Sequence, residues 1–221
     1  MQKPPNFLSL VIFGLLLIIL LILVQIGVVS IAMDKLGLSQ QSIILILFAS
    51  LFGSLVNLPL FTIHSDAVNQ APHIPVPRII FSQVRSYEGK TVIAINVGGA
   101  LIPVFISLYL LNSYEIPFAN VLTAIGIVAI VSYFFSRPIH GMGIGIPIFV
   151  APFTAALTAM FMQTDYTAPL AYIAGTLGIL IGADLLRLPT VRSMATPVAS
   201  IGGAGTFDGI FLTGIFAVLL T

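Results

Sequence analysis

Long apolar runs fill most of the chain. Seven of them approach or exceed the roughly 20 residues a helix needs to cross a bilayer. They are Phe7–Val29, Ser42–Ile63, Thr91–Leu111, Pro117–Phe135, Gly141–Met162, Ala168–Leu186 and Pro197–Leu220. The pattern predicts an all-α polytopic membrane protein of about seven transmembrane helices, a single transmembrane domain over residues 1–221. The first run is longer than a signal-peptide core, and only Lys3 precedes it, so it reads as a retained span.

The polar breaks between runs set the orientation. Lys3, Arg78, Arg85, Lys90, Arg137, Arg187 and Arg192 fall on one side of the predicted bundle, and Lys35 alone falls on the other. The excess of positive residues in short loops marks the cytoplasmic side. This places the N-terminus in the cytoplasm and the C-terminus outside.

One break is long, from Ser65 to Lys90. Pro72, Pro75 and Pro77 make its first half extended. RIIFSQV and TVIAINV then flank a turn-like YEGK, which reads as a short β-hairpin between spans two and three. TVIAINV reads equally well as the first turns of the third span. Spans three, five and seven resemble one another: NVGGALIPVF, GMGIGIPIF and SIGGAGTFDGIF each open with glycines, the pattern of a parallel internal repeat.

Composition supports the membrane reading. Hydrophobic residues make up 58% of the chain and charged residues 7%, against about 25% charged in ordinary soluble domains. No basic tract points to nucleic acid. The absence of cysteine excludes disulfides, thiol catalysis and thiolate-bound metal. The bilayer is the expected partner, and small-residue faces leave the oligomeric state open.

Against this apolar background two carboxylates stand out. Asp184 lies near the end of span six, in LIGADLLRLP, and Asp208 near the start of span seven, in GGAGTFDGIF. An ionisable group inside a span costs roughly 2.5–3.5 kcal/mol on insertion scales, so it needs a partner, a wet cavity or a task. Span six descends towards the cytoplasm and span seven rises from it, which puts both groups in the cytoplasmic half. Two adjacent carboxylates share a proton near neutral pH. One can then act as general base on water while the other polarises a carbonyl, with no metal or organic cofactor. Glycines around Asp208 would let a substrate backbone approach closely.

AYIAGTLGILIGADLLRL, ASIGGAGTFDGIFLTGIFAVLL and NVGGALIPVFISLYLL resemble an uncharacterised family of prokaryotic multi-pass membrane proteins, which implies a plasma (inner) membrane location. The last two spans also resemble the presenilin and signal-peptide-peptidase group of intramembrane aspartyl proteases. There Asp184 would match the catalytic aspartate on the descending span, and Asp208 the aspartate of the Gly-x-Gly-Asp motif. That resemblance implies transmembrane peptide substrates. It also implies a substrate-binding surface drawn from Gly182, Gly203, Gly205 and Gly209, with Pro147, Pro152 or Pro197 in the role of the group's proline motif. Thr206-Phe207 stands where the motif's second glycine would be, and Ala183 where a tyrosine would precede the first aspartate.

Helix geometry adds a condition. Gly175, Gly178 and Gly182 share one face of span six, and Asp184 lies about 200° round from Gly182. A dyad therefore requires the glycine face to pack somewhere other than on span seven, or the helix to unwind near Gly182.

Two other readings use the same residues. In a proton- or cation-coupled carrier, membrane carboxylates mark the ion path, and Asn57, Asn96, Pro103 and Pro147 would line it. In a purely structural role, Asp184 would pair with Arg187 one turn on, and Asp208 would sit at a helix N-terminus. A metal site at His64, Asp66, His73 and His140 is a weaker expectation, resting on a short H-x-D spacing without an HExxH motif.

Overall fold

The computed structural model describes residues 26–64, 89–139, 143–194, 196–203 and 209–221. Residues 7–25 of the first predicted span, the RIIFSQV segment, Asp66, His73, His140, Gly205 and Asp208 lie outside them. The elements in order are a helix over 26–35 (α1), α2 (Gln40–Gly53), β1 (Asn57–His64) and β2 (Lys90–Asn96). A π-helical turn (Val97–Leu101) leads into α3 (Ile102–Ser113), followed by α4 (Phe118–Phe135) and a hairpin of β3 (Arg137–Ile139) and β4 (Gly143–Gly145). Next come α5 (Val150–Phe161), α6 (Thr167–Ile179), a second π-turn (Leu180–Leu185), a 3-10 turn (Leu188–Ser193), β5 (Val198–Ile201) and α7 (Gly209–Leu219).

Two of the predicted spans are single helices. Phe118–Phe135 and Thr167–Leu185 are long and apolar enough to cross a membrane. Four others are not. The second is α2 followed by β1, and the third is β2, a π-turn and α3. The fifth and seventh each combine a strand with a helix of 12 and 11 residues. Hydropathy misread them because a run such as NLPLFTIH or KTVIAIN is as apolar as a helix while being rich in residues that favour strands.

The strands form a three-stranded sheet in the order β1-β2-β5. β1 and β2 are antiparallel, from Asn57 opposite Asn96 to His64 opposite Lys90, with a bulge between Pro59 and Phe61. β2 and β5 are parallel, Val92 opposite Val198 through Ile95 opposite Ile201. TVIAIN is therefore a strand, and its antiparallel partner is β1. Because β2 and β5 run the same way, their following helices, α3 and α7, leave the sheet from the same end.

α6 is the axis of the bundle and packs on α3, α4, α5 and α7. Pro169 through Thr176 are all buried, as expected of a helix that is apolar all round. Its glycines set how close the neighbours come. A Cβ on Gly178 would lie 2.6 Å from Val128 Cβ, and one on Gly182 would strike the carbonyl oxygen of Ala129. Gly175 instead faces Ala155 of α5 and Thr213 and Ala217 of α7. On α7, Gly214 leaves room for Tyr172 and Thr176, with Thr176 Oγ1 2.7 Å from where its Cβ would be. Small residues of this kind allow backbones in apolar bundles to touch.

The C-terminal end of α4 is held by Arg187. Its Nη2 donates to the carbonyls of Tyr133 at 2.7 Å and Ser136 at 3.1 Å, and its Nε donates to Ser136 Oγ at 3.1 Å. The guanidinium also lies 4.2 Å over the Tyr133 ring. A cation here satisfies carbonyls that the helix leaves without partners and complements its dipole.

The α4–α6 contact predicts a graded response. Replacing Gly182 with valine should force the helices apart and lower stability by about 1–3 kcal/mol, the usual cost of overpacking. Gly126→Ala, on α4 with open space around it, should be neutral or slightly stabilising. Thermal unfolding of the purified protein in detergent would compare the two.

Candidate functional site

The site is built where three elements break. α6 passes into the π-turn Leu180–Leu185, which carries Asp184. β2 passes into the π-turn Val97–Leu101. β5 ends at Ile201, and Gly202 and Gly203 follow with φ of +81° and +88°, a region that L side chains rarely adopt. Gly202 is wedged between the other two breaks. A Cβ there would lie 2.5 Å from Ala100 Cβ, and its N–H donates to Asp184 Oδ2 at 2.9 Å.

The facing of Asp184 follows from the packing of α6. Gly178 and Gly182 are seated on α4, so the opposite side of the π-turn looks towards the end of β5. Asp184 is partly buried there. It accepts from the first residue of the segment that leads to Asp208. Asp208 lies six positions after Gly202, and a chain of that length reaches at most about 20 Å.

A hydrogen-bonded frame holds the breaks in place. The buried Asn96 side chain accepts from Gly99 N at 2.7 Å. It donates to Ser54 O at 2.7 Å and to Asn57 Oδ1 at 3.1 Å. Asn57 Oδ1 also accepts from Ser200 Oγ, so one amide oxygen ties β1 to β5. Ser50 Oγ donates to Gly98 O at 2.9 Å, where the backbones of α2 and the first π-turn touch. On the far side of β2, Thr91 Oγ1 donates to Thr196 O at 2.7 Å and Val92 N to Pro197 O at 3.0 Å.

The residues singled out in the sequence are thus dispersed. Asp184, Gly202 and Gly203 meet at the breaks, and Asn57 and Asn96 meet in the frame beside them. Gly182 faces Ala129, Pro103 is buried in α3, Pro147 is exposed ahead of α5, and Pro197 is half-buried at the start of β5. Gly209 opens α7. His64 is exposed at the end of β1, and among the described residues no group of three or more His, Asp or Glu side chains could hold a metal ion. Gly202 lies outside the residues that the sequence pattern singles out, and its signal is a glycine pair directly after the strand-like VASI.

The Asp184–Gly202 bond separates two substitutions. In Asp184→Asn the amide oxygen can still accept from Gly202, so stability should fall by no more than about 1 kcal/mol. Asp184→Leu leaves that N–H without an acceptor and should cost about 1–3 kcal/mol. Unfolding midpoints of the two variants in the same detergent would show the difference.

No curated protein and no solved structure matches the chain. A family model does, over residues 51–220, from the last turn of α2 to the end of α7. The match is to an uncharacterised family, as the sequence resemblance implies, and it brings no likeness to the presenilin group. The chain belongs to the family described as Protein of unknown function (DUF1614).

Proposed function

We propose that this protein is embedded in a prokaryotic inner membrane and that Asp184, with Asp208, forms the carboxylate pair of an intramembrane aspartyl hydrolase. The membrane part is supported by α4 and α6 and by large apolar side chains left open on the outside. Leu45, Phe118, Phe134 and Phe161 are 71–83% exposed, which in water would be an aggregating surface and in lipid is a solvated one.

The observation that carries the catalytic part is the hydrogen bond from Gly202 N–H to Asp184. It ties the carboxylate at the end of α6 to the start of the glycine-rich segment bearing Asp208. In the proposed reaction the ionised carboxylate takes a proton from water as the oxygen attacks a peptide carbonyl. The protonated one donates to the carbonyl oxygen. Collapse of the tetrahedral intermediate breaks the C–N bond, and the proton passes to the leaving amine. β1 offers a place for the substrate. It is the outer strand of its sheet and is exposed along most of its length, so an extended peptide could add to its edge.

A carrier is the second reading, favoured by the π-turns that interrupt two elements beside a carboxylate. Discontinuous elements of this kind build ion sites in transporters.

Reconstitution into liposomes with a fluorescently labelled transmembrane peptide tests both. Cleavage that falls at least about a hundredfold in Asp184→Asn and in Asp208→Asn supports the hydrolase. Cleavage that survives both changes refutes it. An absence of cleavage, with a proton flux that both changes abolish, establishes the carrier instead.

A further inference from the structure

At the other end of the bundle, about 25 Å along α6 from Asp184, lies a hollow of about 350 Å³ that the carboxylate pair does not involve. Four segments wall it. Lys35 comes from the end of α1, Tyr114 from the end of α3, Asp165 to Pro169 from the turn into α6, and Thr221 follows α7. The volume lies within the range of small-molecule sites.

Tyr114 is fixed in its wall, and Lys35 and Asp165 are exposed at the rim. Tyr114 donates its hydroxyl to Leu36 O at 2.9 Å. Gly37, at φ +70°, makes room for that hydroxyl, since a Cβ there would lie 2.5 Å from it. The rings of Tyr114 and Tyr166 lie 5.0 Å apart. Lys35 Nζ reaches Val218 O at 3.4 Å, the end of α7. Lys35 and Asp165 line the same hollow, and among the described residues no salt bridge joins them.

A cation and an anion that share a cavity without neutralising each other complement a ligand carrying both charges in reverse. We infer that this hollow binds a dipolar group, an oxyanion and an ammonium joined by a short carbon chain, with the oxyanion at Lys35 and the ammonium at Asp165 and the two tyrosine rings. An ammonium is attracted by a carboxylate and by aromatic faces alike. A purely anionic ligand fits less well, because Asp165 lines the same hollow. The chemistry is that of a zwitterionic phospholipid headgroup or of a free phosphoethanolamine-like molecule.

Calorimetric titration of the full chain in detergent with glycerophosphoethanolamine tests the soluble form. Mass spectrometry of the chain in nanodiscs of phosphatidylethanolamine, against phosphatidylglycerol, tests the lipid. Binding of the soluble probe alone identifies a free ligand, and selective retention of phosphatidylethanolamine identifies the headgroup. Either supports the site if Lys35→Met and Asp165→Asn each weaken binding at least about tenfold while the unfolding midpoint stays unchanged. Glycerol 3-phosphate, which lacks the ammonium, should bind at least about tenfold more weakly than the probe. The inference is overturned if it binds equally well, if Asp165→Asn has no effect, or if neither form binds. Because the readout is binding, the result stands apart from any measurement of cleavage or transport.

Discussion

Each buried backbone group released where a helix breaks must find another partner, because a buried polar group left unpaired carries its full desolvation cost. Much of this fold follows from that constraint. α2 stops at Gly53, and the carbonyl of Ser54 is taken by Asn96. The first turn after β2 is capped by the same side chain through Gly99. The turn after β5 gives its Gly202 N–H to Asp184. Strands appear where long helices were expected because a ladder is the other way to pair every backbone group, and β2 pairs on both of its edges.

The same constraint explains why a set of hydrogen-bonding side chains is gathered around these breaks. Asn57, Asn96, Ser50, Ser200 and Asp184 surround the breaks, and Arg187 holds the end of α4 nearby. α6 joins this end to the Lys35–Asp165 hollow through an interior without charge. The two ends are thus chemically distinct, one dominated by hydrogen-bonded backbone and the other by exposed charged side chains.

The two longest apolar helices were legible in the sequence. Pro117–Phe135 and Ala168–Leu186 differ from the observed elements by a residue or so at each end, because an unbroken apolar run closed by Pro or Arg has few other readings. The strands within the remaining runs were not legible. Asn57–His64 continues the apolar stretch of α2 without a change of hydropathy, and only its partner, β2, makes it a strand. Asp184 was legible as an exceptional residue. Its acceptor role towards Gly202, 18 positions on, was not, since it arises from the seating of Gly178 and Gly182 on Val128 and Ala129.

The parallel pairing of β2 with β5 also dictates an order of assembly. β1 and β2 are neighbours in the chain and can pair early, whereas Thr91 on β2 and Thr196, just ahead of β5, are 105 positions apart. At ribosomal rates of about 5–20 residues per second, several seconds separate their synthesis. For that interval one edge of β2 has no neighbour, and everything from α3 to α6 enters the nascent bundle before the sheet closes. The sheet is therefore built around an open edge that β5 seals, so the nascent chain is at its most adhesive just before β5 arrives.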